Sequence, residues 1–365
     1  MSRASPCSPR RVIHVASGRE WRGGQNQVFL LARELSRRPN PIGQLIITGA
    51  GSLLAERLAQ SRLRTRAVGW RAGLSPAALA AIIREARRER SLLHAHDAHS
   101  LTLAGLAGQL TGTPFIVTRR VVFPLRRSGF WTRAERVIAV SAAVRNQLVE
   151  DGIAPDRIVV VHSGIDLEIV RAVTAGKIRR ELGLPETGAL VVSTAALDRD
   201  KAPDALLDAA RTLAERFPPL HWVLAGDGPL SAVLSARLDD STLRSRVTLV
   251  GRLEPHDALR LIAAADVYAT ATRAEGLGTS VLEAMALGVP VVAPSVGGIP
   301  ELIGNGAGIL VPPAEPAALA EGVARLLTNV AARSACVTAA AARVERFSAQ
   351  AMADGVRAVY RSLGL

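Results

Sequence analysis

Arg273-Ala-Glu-Gly-Leu-Gly-Thr-Ser-Val-Leu-Glu283 sets two carboxylates on either side of a glycine-rich turn that opens directly into a helix. Residues 266–270 upstream read as a short β-branched strand, Thr279 or Ser280 offers an N-cap hydroxyl, and 281–287 supply the apolar first turns of the helix. The turn therefore stands at the carboxyl end of a strand. Gly276 and Gly278 let the backbone come close to a ligand, and the unpaired N–H groups of the new helix favour an anion such as a diphosphate. Carboxylates do not bind phosphate, so Glu275 and Glu283 are suited to hydroxyls. A ligand with phosphate in its middle and polyols at both ends has the shape of a nucleotide-sugar.

A capped helix with a solvated Glu283 would account for the turn by itself, but not for the eighteen residues after Glu283. Ala284-Met-Ala-Leu-Gly-Val-Pro-Val-Val-Ala-Pro-Ser-Val-Gly-Gly-Ile-Pro-Glu301 continues with a small-residue helix, a buried strand and a second glycine turn. The set Glu275-x7-Glu283, Glu-Ala-Met-Ala, Gly-x-Pro-Val-Val and Gly-Gly-Ile-Pro-Glu resembles family 4 of the retaining glycosyltransferases, which includes bacterial sugar transferases of cell-surface glycan and lipopolysaccharide type. The resemblance implies the GT-B fold: two facing, doubly wound, Rossmann-like parallel sheets with a cleft between them and a last helix that crosses back to the first domain.

At 365 residues the chain suits two domains of about 170 each, both large enough to bury a core. No uncharged apolar run reaches membrane-spanning length, and residues 12–16 are too short for a signal peptide, so a cytoplasmic protein is expected. Cys7 and Cys336 are too few and too far apart for a disulfide framework and read as reduced thiols. The net charge of +13 falls wholly in residues 1–170, which hold 25 arginines against 12 acids; residues 171–365 are balanced at 20 and 20. A basic first half fits a polyanionic acceptor or an anionic membrane surface. Nucleic acid is disfavoured because aromatics are only 3% of the chain, too few for base-stacking platforms. Solvated surface arginine in an arginine-rich proteome would give the same excess.

Short β-branched runs alternate with amphipathic or Ala-rich stretches, the pattern of parallel sheets covered on both faces. Strands are expected at 12–16, 45–48, 92–96, 115–118, 136–140 and 158–162, then, after a helical interruption from Arg171, at 189–194, 220–225, 247–250, 266–270, 289–293 and 308–311. The predicted division is 1–170 for an acceptor domain, 171–345 for a donor domain and 346–365 for the returning helix.

Ligands of open α/β sheets bind outside the strands' carboxyl ends, so the loops there carry the remaining candidates. Gly23-Gly24 follows the first strand and corresponds to the family's first glycine pair, which contacts donor phosphate or acceptor. Lys201 is one of only two lysines. By resemblance it holds the diphosphate, a point charge suited to neutralising a leaving group. The family's arginine five residues earlier is replaced by Ala196, so Arg199 supplies a second cation or none does. Asp198-x-Asp200 looks like a metal motif, but the adjacent Arg199 and Lys201 would compete with a cation, and surface acids are the better reading. Gly226 in Ala225-Gly-Asp-Gly-Pro229, Arg252, and the run Gly276, Leu277, Gly278, Thr279 and Ser280 complete the donor-side set. Glu275 is assigned by analogy to the transferred sugar and Glu283 to the ribose.

Leu93-His-Ala-His-Asp-Ala-His99 concentrates polar residues, with His94 and His96 on one strand face and Asp97 and His99 at its exit. Zinc ligation lacks further ligands at suitable spacing, and a polar patch lining the cleft is expected instead. The histidine that many family members carry after the next strand is replaced by Arg119-Arg120, so Arg119, His96 or Asp97 could take its place. The functional expectation is sugar transfer from a nucleotide-diphospho-sugar co-substrate to a glycan or lipid-linked acceptor, with no metal or other cofactor. A nucleotide-sugar epimerase and a non-catalytic polyanion-binding protein are the alternatives.

Overall fold

The computed structural model describes residues 10–70, 73–125, 129–217, 219–239 and 241–365. Cys7 lies outside them. The chain divides into two compact units, residues 1–164 with 348–365, and residues 165–347. The sequence reading puts the corresponding boundaries at 170/171 and 345/346.

The first unit is built on seven parallel strands: Arg11–Ala16 (β1), Gly43–Gly49 (β2), Thr65–Val68 (β3), Ser91–Ala95 (β4), Phe115–Arg119 (β5), Arg136–Ala139 (β6) and Ile158–Val160 (β7). Their order is β3-β2-β1-β4-β5-β6-β7. All residues of β1 and β4 are buried, as central strands covered on both faces must be. β3 is absent from the sequence-based expectation. It is a four-residue edge strand, half exposed and carrying Arg66, so it shows neither an apolar run nor a clean alternation.

One face of this sheet packs against helices Gly23–Arg37 and Ala349–Ser362. Val12, Leu92, Ile116 and Ile138 from the strands meet Leu31 and Leu35 of the first helix and Met352, Val356 and Val359 of the last in one core. Burying Met352, Val356 and Val359, at roughly 1.5–3 kcal/mol each, makes the last helix an integral layer of this unit rather than a surface tail.

The second unit carries Leu190–Thr194 (β8), His221–Ala225 (β9), Val247–Gly251 (β10), Val267–Ala269 (β11), Val291–Pro294 (β12) and Ile309–Val311 (β13), all parallel, in the order β10-β9-β8-β11-β12-β13. The six expected strands are present with no end shifted by more than two residues. Helices Pro203–Leu213 and Pro316–Thr328 cover one face through a core that includes Val191, Leu207, Trp222, Val267, Val292 and Val323. Cys336 is a buried free thiol in helix Val330–Val344. Among the described residues, no helix is long and apolar enough to cross a membrane.

Each sheet has one place where the winding reverses: between β1 and β4 in the first, and between β8 and β11 in the second. Loops leaving neighbouring strands there diverge to opposite faces and leave a crevice at the carboxyl ends.

Candidate active site

At the second switch point, the loop leaving β8 and the loop leaving β11 meet through charge. Lys201 Nζ donates to Glu275 Oε2 at 2.5 Å, both side chains being about a quarter exposed. Backbone bonds zip the same loops together, with Arg273 N donating to Asp200 O at 2.7 Å and the Thr272 hydroxyl to the same oxygen at 3.0 Å. Lys201 is presented by a constrained turn. Its own N–H donates to Asp198 Oδ1 at 3.0 Å, and Ala202 after it is fully buried at φ +46°, a left-handed conformation costly for a residue with a Cβ. Asp198 is thus occupied as a turn acceptor, while Asp200 and Arg199 are exposed or nearly so.

The β11 loop turns into helix Thr279–Ala286 through Gly278, at φ +101°. The N-cap is Gly278 rather than Thr279 or Ser280, and no side chain caps the helix. The glycine conformation, which a hydroxyl residue would resist, starts the helix one residue earlier and leaves its first N–H groups open to a ligand. Gly276 and Leu277 are buried behind this turn. Ser280 faces inward, where its side chain hydrogen-bonds the hydroxyl of fully buried Tyr268 on β11, which also bonds Thr194 at the end of β8. Tyr268 therefore fastens the helix start to the Lys201 loop. Its place in an apolar-looking strand hides it in the sequence.

Glu275 is held by a glycine the motif contains without explaining. Gly297 lies at φ +53°, and a Cβ there would fall 1.7 Å from Glu275 O. The next residue, Gly298, donates its N–H to the same carbonyl at 3.3 Å. The Gly-Gly-Ile-Pro-Glu turn is thus the floor under Glu275. Gly226 does similar work on the other side: at φ +150° its Cβ would lie 1.8 Å from Ala195 O, so the β9 exit presses directly on the Lys201 loop. Arg252 is exposed just past β10; the Ser231 hydroxyl and the Gly228 N–H hold the Asp227 carboxyl low, and the Arg252 charge adds to them.

Glu283, one turn into the helix, is half-buried; its carbonyl accepts from Leu287 N at 3.0 Å, while its carboxylate hydrogen-bonds no other described residue. Burial pushes its carboxyl up to about 7. The Lys201–Glu275 pair thus stands at the loops beside an uncapped helix start, with Glu283 one turn further along that helix, an arrangement able to take an anion.

The first unit's candidates divide. At its switch point Asp97 caps helix Ala98–Thr111 and crosses to β1, accepting from Ser17 N at 2.8 Å and Ser17 Oγ at 2.6 Å. Gly23 and Gly24 open helix Gly23–Arg37, whose start is also uncapped, and a Cβ on Gly24 would meet nothing within 4 Å. His99 is exposed.

The histidines do not line a crevice as expected. His94 and His96 are buried with His14 of β1, the register partner of His94. Tyr360, from the last helix, covers them and bonds His94 Nδ1 at 2.7 Å, while Thr118 takes His94 Nε2 at 2.7 Å. Arg120 can only donate, so its approach to His96 Nδ1 at 3.3 Å makes that nitrogen an acceptor. His96 Nε2–H then donates to His14 Nδ1 at 3.0 Å, and His14 Nε2–H donates to Gln44 at 3.1 Å. All six ring nitrogens are engaged. Ligand atoms of the three lie within 4.8 Å of one another, the spacing of a metal site, but every nitrogen has a partner and the Arg120 cation adjoins them. Burial keeps all three neutral, with His14 lowered to about 4.

Arg119 donates to Phe123 O at 2.5 Å and lies over Trp131, packing the loop after β5. Arg120, absent from the sequence candidates, turns to the switch point and donates to His96 O at 2.9 Å. Only its position after a strand end distinguishes it in the sequence.

Two family models cover most of the chain: "Glycosyltransferase Family 4" matches residues 21–169 and "Glycosyl transferases group 1" residues 175–343. The D-inositol 3-phosphate glycosyltransferase 1 of Catenulispora acidiphila is 31% identical over 305 residues, 74% of this chain and 72% of that protein. The D-inositol 3-phosphate glycosyltransferase of Saccharomonospora viridis is 31% identical over 278 residues, 73% of this chain and 64% of that protein. Among solved structures, Anabaena Alr3699/HepE in complex with UDP and glucose superposes with TM-score 0.84 at 22% identity, over 97% of this chain and 100% of that one. Two parallel-sheet units of this order, the motif residues gathered at their switch points and matches of this extent have one explanation: the chain belongs to the family 4 glycosyltransferases, enzymes of GT-B fold.

Proposed function

We propose that this glycosyltransferase moves a sugar from a nucleotide-diphospho-sugar, bound by the second unit, to a glycan or lipid-linked acceptor bound by the first, with retention of configuration, in the synthesis of cell-envelope polysaccharide or lipopolysaccharide. The observation that carries the donor assignment is the Lys201–Glu275 pair beside an uncapped helix start at the β8–β11 switch point. The ammonium and the N–H groups of Gly278 to Ser280 take the diphosphate. Glu275 receives sugar hydroxyls and Glu283 those of the ribose. As the bond from the anomeric carbon to phosphate oxygen breaks, the acceptor oxygen bonds that carbon on the same face and its proton passes to the departing phosphate. Stabilising that departure is the protein's main task, and no enzymic nucleophile takes part.

The basic first unit suits an anionic membrane surface, which attracts arginine at about 1 kcal/mol per residue. A soluble inositol phosphate is a second acceptor reading, favoured by the names of the curated relatives. Lys201 and the helix start neutralise the diphosphate without a metal ion, so transfer should persist in excess chelator; loss reversible by Mg²⁺ or Mn²⁺ would assign Asp198 and Asp200 to a cation.

A thermal-shift screen across UDP-, GDP- and ADP-sugars tests the reading, since a ligand at about a hundred times its dissociation constant stabilises by about 2.7 kcal/mol. One nucleotide series should raise the transition. A flat response to all three would overturn the donor assignment.

A further inference from the structure

β1, β4 and β5 are neighbours in the first sheet, so their exits lie side by side, about 4.8 Å apart per strand. Arg120 stands at the third of them. Its guanidinium is mostly buried, and its polar contacts are Nη1 to His96 O at 2.9 Å and Nη2 to His96 Nδ1 at 3.3 Å. Both partners are neutral. Among the described residues its buried Nε has no hydrogen-bond partner, and Arg120 forms no ion pair.

The Asp97 carboxylate makes no hydrogen bond to Arg120 and already accepts from Ser17 N, Ser17 Oγ and Ser100 N. Asp97 and the Tyr360 hydroxyl act on Arg120 through space, yet burial dominates and pulls the guanidinium down to about 10. Arg11 of the same unit, also sheltered, looks different, with Glu85 and Glu89 as counter-ions. Desolvating a cation without a counter-ion is costly, and proteins accept that cost where a ligand supplies the missing charge.

We infer that Arg120 is the binding residue for an anionic group, a phosphate or a carboxylate, carried by the acceptor at the β1–β4 switch point. This rests on the assignment of the acceptor to the first unit made above. A planar fork suits either group, since both accept two parallel N–H bonds. His96 holds the fork in place, and Tyr360 and Thr118 hold the histidine layer beneath it.

The test titrates the full chain, by calorimetry, with inositol 3-phosphate, glucuronate and, as neutral controls, inositol and glucose. The parent should prefer a charged probe over its neutral counterpart by at least about tenfold, the 1.4 kcal/mol or more of a charge-assisted bond, and whichever charged probe binds identifies phosphate or carboxylate. Arg120→Gln should abolish that preference. Should Arg120→Gln fail to fold, Arg120→Lys decides: keeping the charge but not the fork, it should bind the charged probe severalfold more weakly and the neutral controls unchanged. A parent without preference, or a folded variant binding the charged probe like the parent, overturns the inference. Nucleoside diphosphate titrated into the same samples reads the second unit separately. Its affinity should be the same in parent and variants, and its absence in the parent would count against the donor assignment while leaving the anion preference measurable.

Discussion

Lys201 and Glu275, 74 residues apart in sequence, meet at 2.5 Å across the exits of β8 and β11. In the proposed function, the contact joins the cation that takes the diphosphate to the carboxylate that receives the transferred sugar. Each side chain fixes the other's position. Lys201→Ala should lower turnover by two or more orders of magnitude and free Glu275 from its partner. Arg should rescue poorly, because a fork cannot replace a point charge in this geometry. Steady-state kinetics of the folded variants checks both statements, and a fully active alanine variant would remove Lys201 from the mechanism.

Gly297→Ala probes the floor under Glu275. A methyl group would lie 1.7 Å from Glu275 O, on a residue already at φ +53°. Stability should fall by roughly 1–3 kcal/mol, and turnover should fall further than a distant substitution of equal stability cost. Thermal unfolding read beside kcat separates the two effects; unchanged turnover in the folded variant would show that Glu275 does not depend on this turn.

Glu283 should make the second unit less stable as pH rises. Its carboxyl goes from an ordinary 4.5 to about 7 on burial, so the unfolded chain loses that proton first. Stability is therefore lost between about pH 4.5 and 7, by an amount on the order of 1–3 kcal/mol. Glu283→Gln abolishes this slope. The difference in midpoint between variant and parent should widen in the variant's favour over that window and stay level above it.

The first unit should show the opposite sign. His14 is lowered from 6.5 to about 4 by burial, and His94 and His96 are lowered with it, so the unfolded chain takes up protons first on acidification. Stability is lost as pH falls from about 6.5 towards 4. His14→Gln cannot titrate and should flatten the acid limb in urea unfolding followed across this range. An unaltered limb would show that His14 does not titrate there.

Much of the architecture is legible in the sequence because central parallel strands are buried on both faces and rich in apolar residues, as β1, β4, β8 and β12 are. β3 is not, since an edge strand needs no such run. The spacing of Glu275 and Glu283 around two glycines can be read locally. What positions them cannot: Gly297 under Glu275, Tyr268 behind Ser280 and Lys201 beside Glu275 are contacts made by the fold. The histidines show the same limit. Alternation places His94 and His96 together, but Tyr360, 266 residues from His94, is what buries them. The adjacent arginines look equivalent in the sequence, and backbone direction alone turns Arg119 to Trp131 and Arg120 to the switch point.

The two glutamates provide the most direct test of the donor site. Calorimetry with the nucleoside diphosphate identified by thermal shift should show Glu283→Gln weakening binding, because the ribose is present in that ligand, by up to the roughly 1.5–3 kcal/mol of a charged hydrogen bond. Glu275→Gln should bind the same ligand nearly as the parent does while losing transfer, because its partner is the sugar. Parent-like affinity in both variants would contradict the ribose assignment, and equal loss in both folded variants would contradict the division of the donor between the two carboxylates.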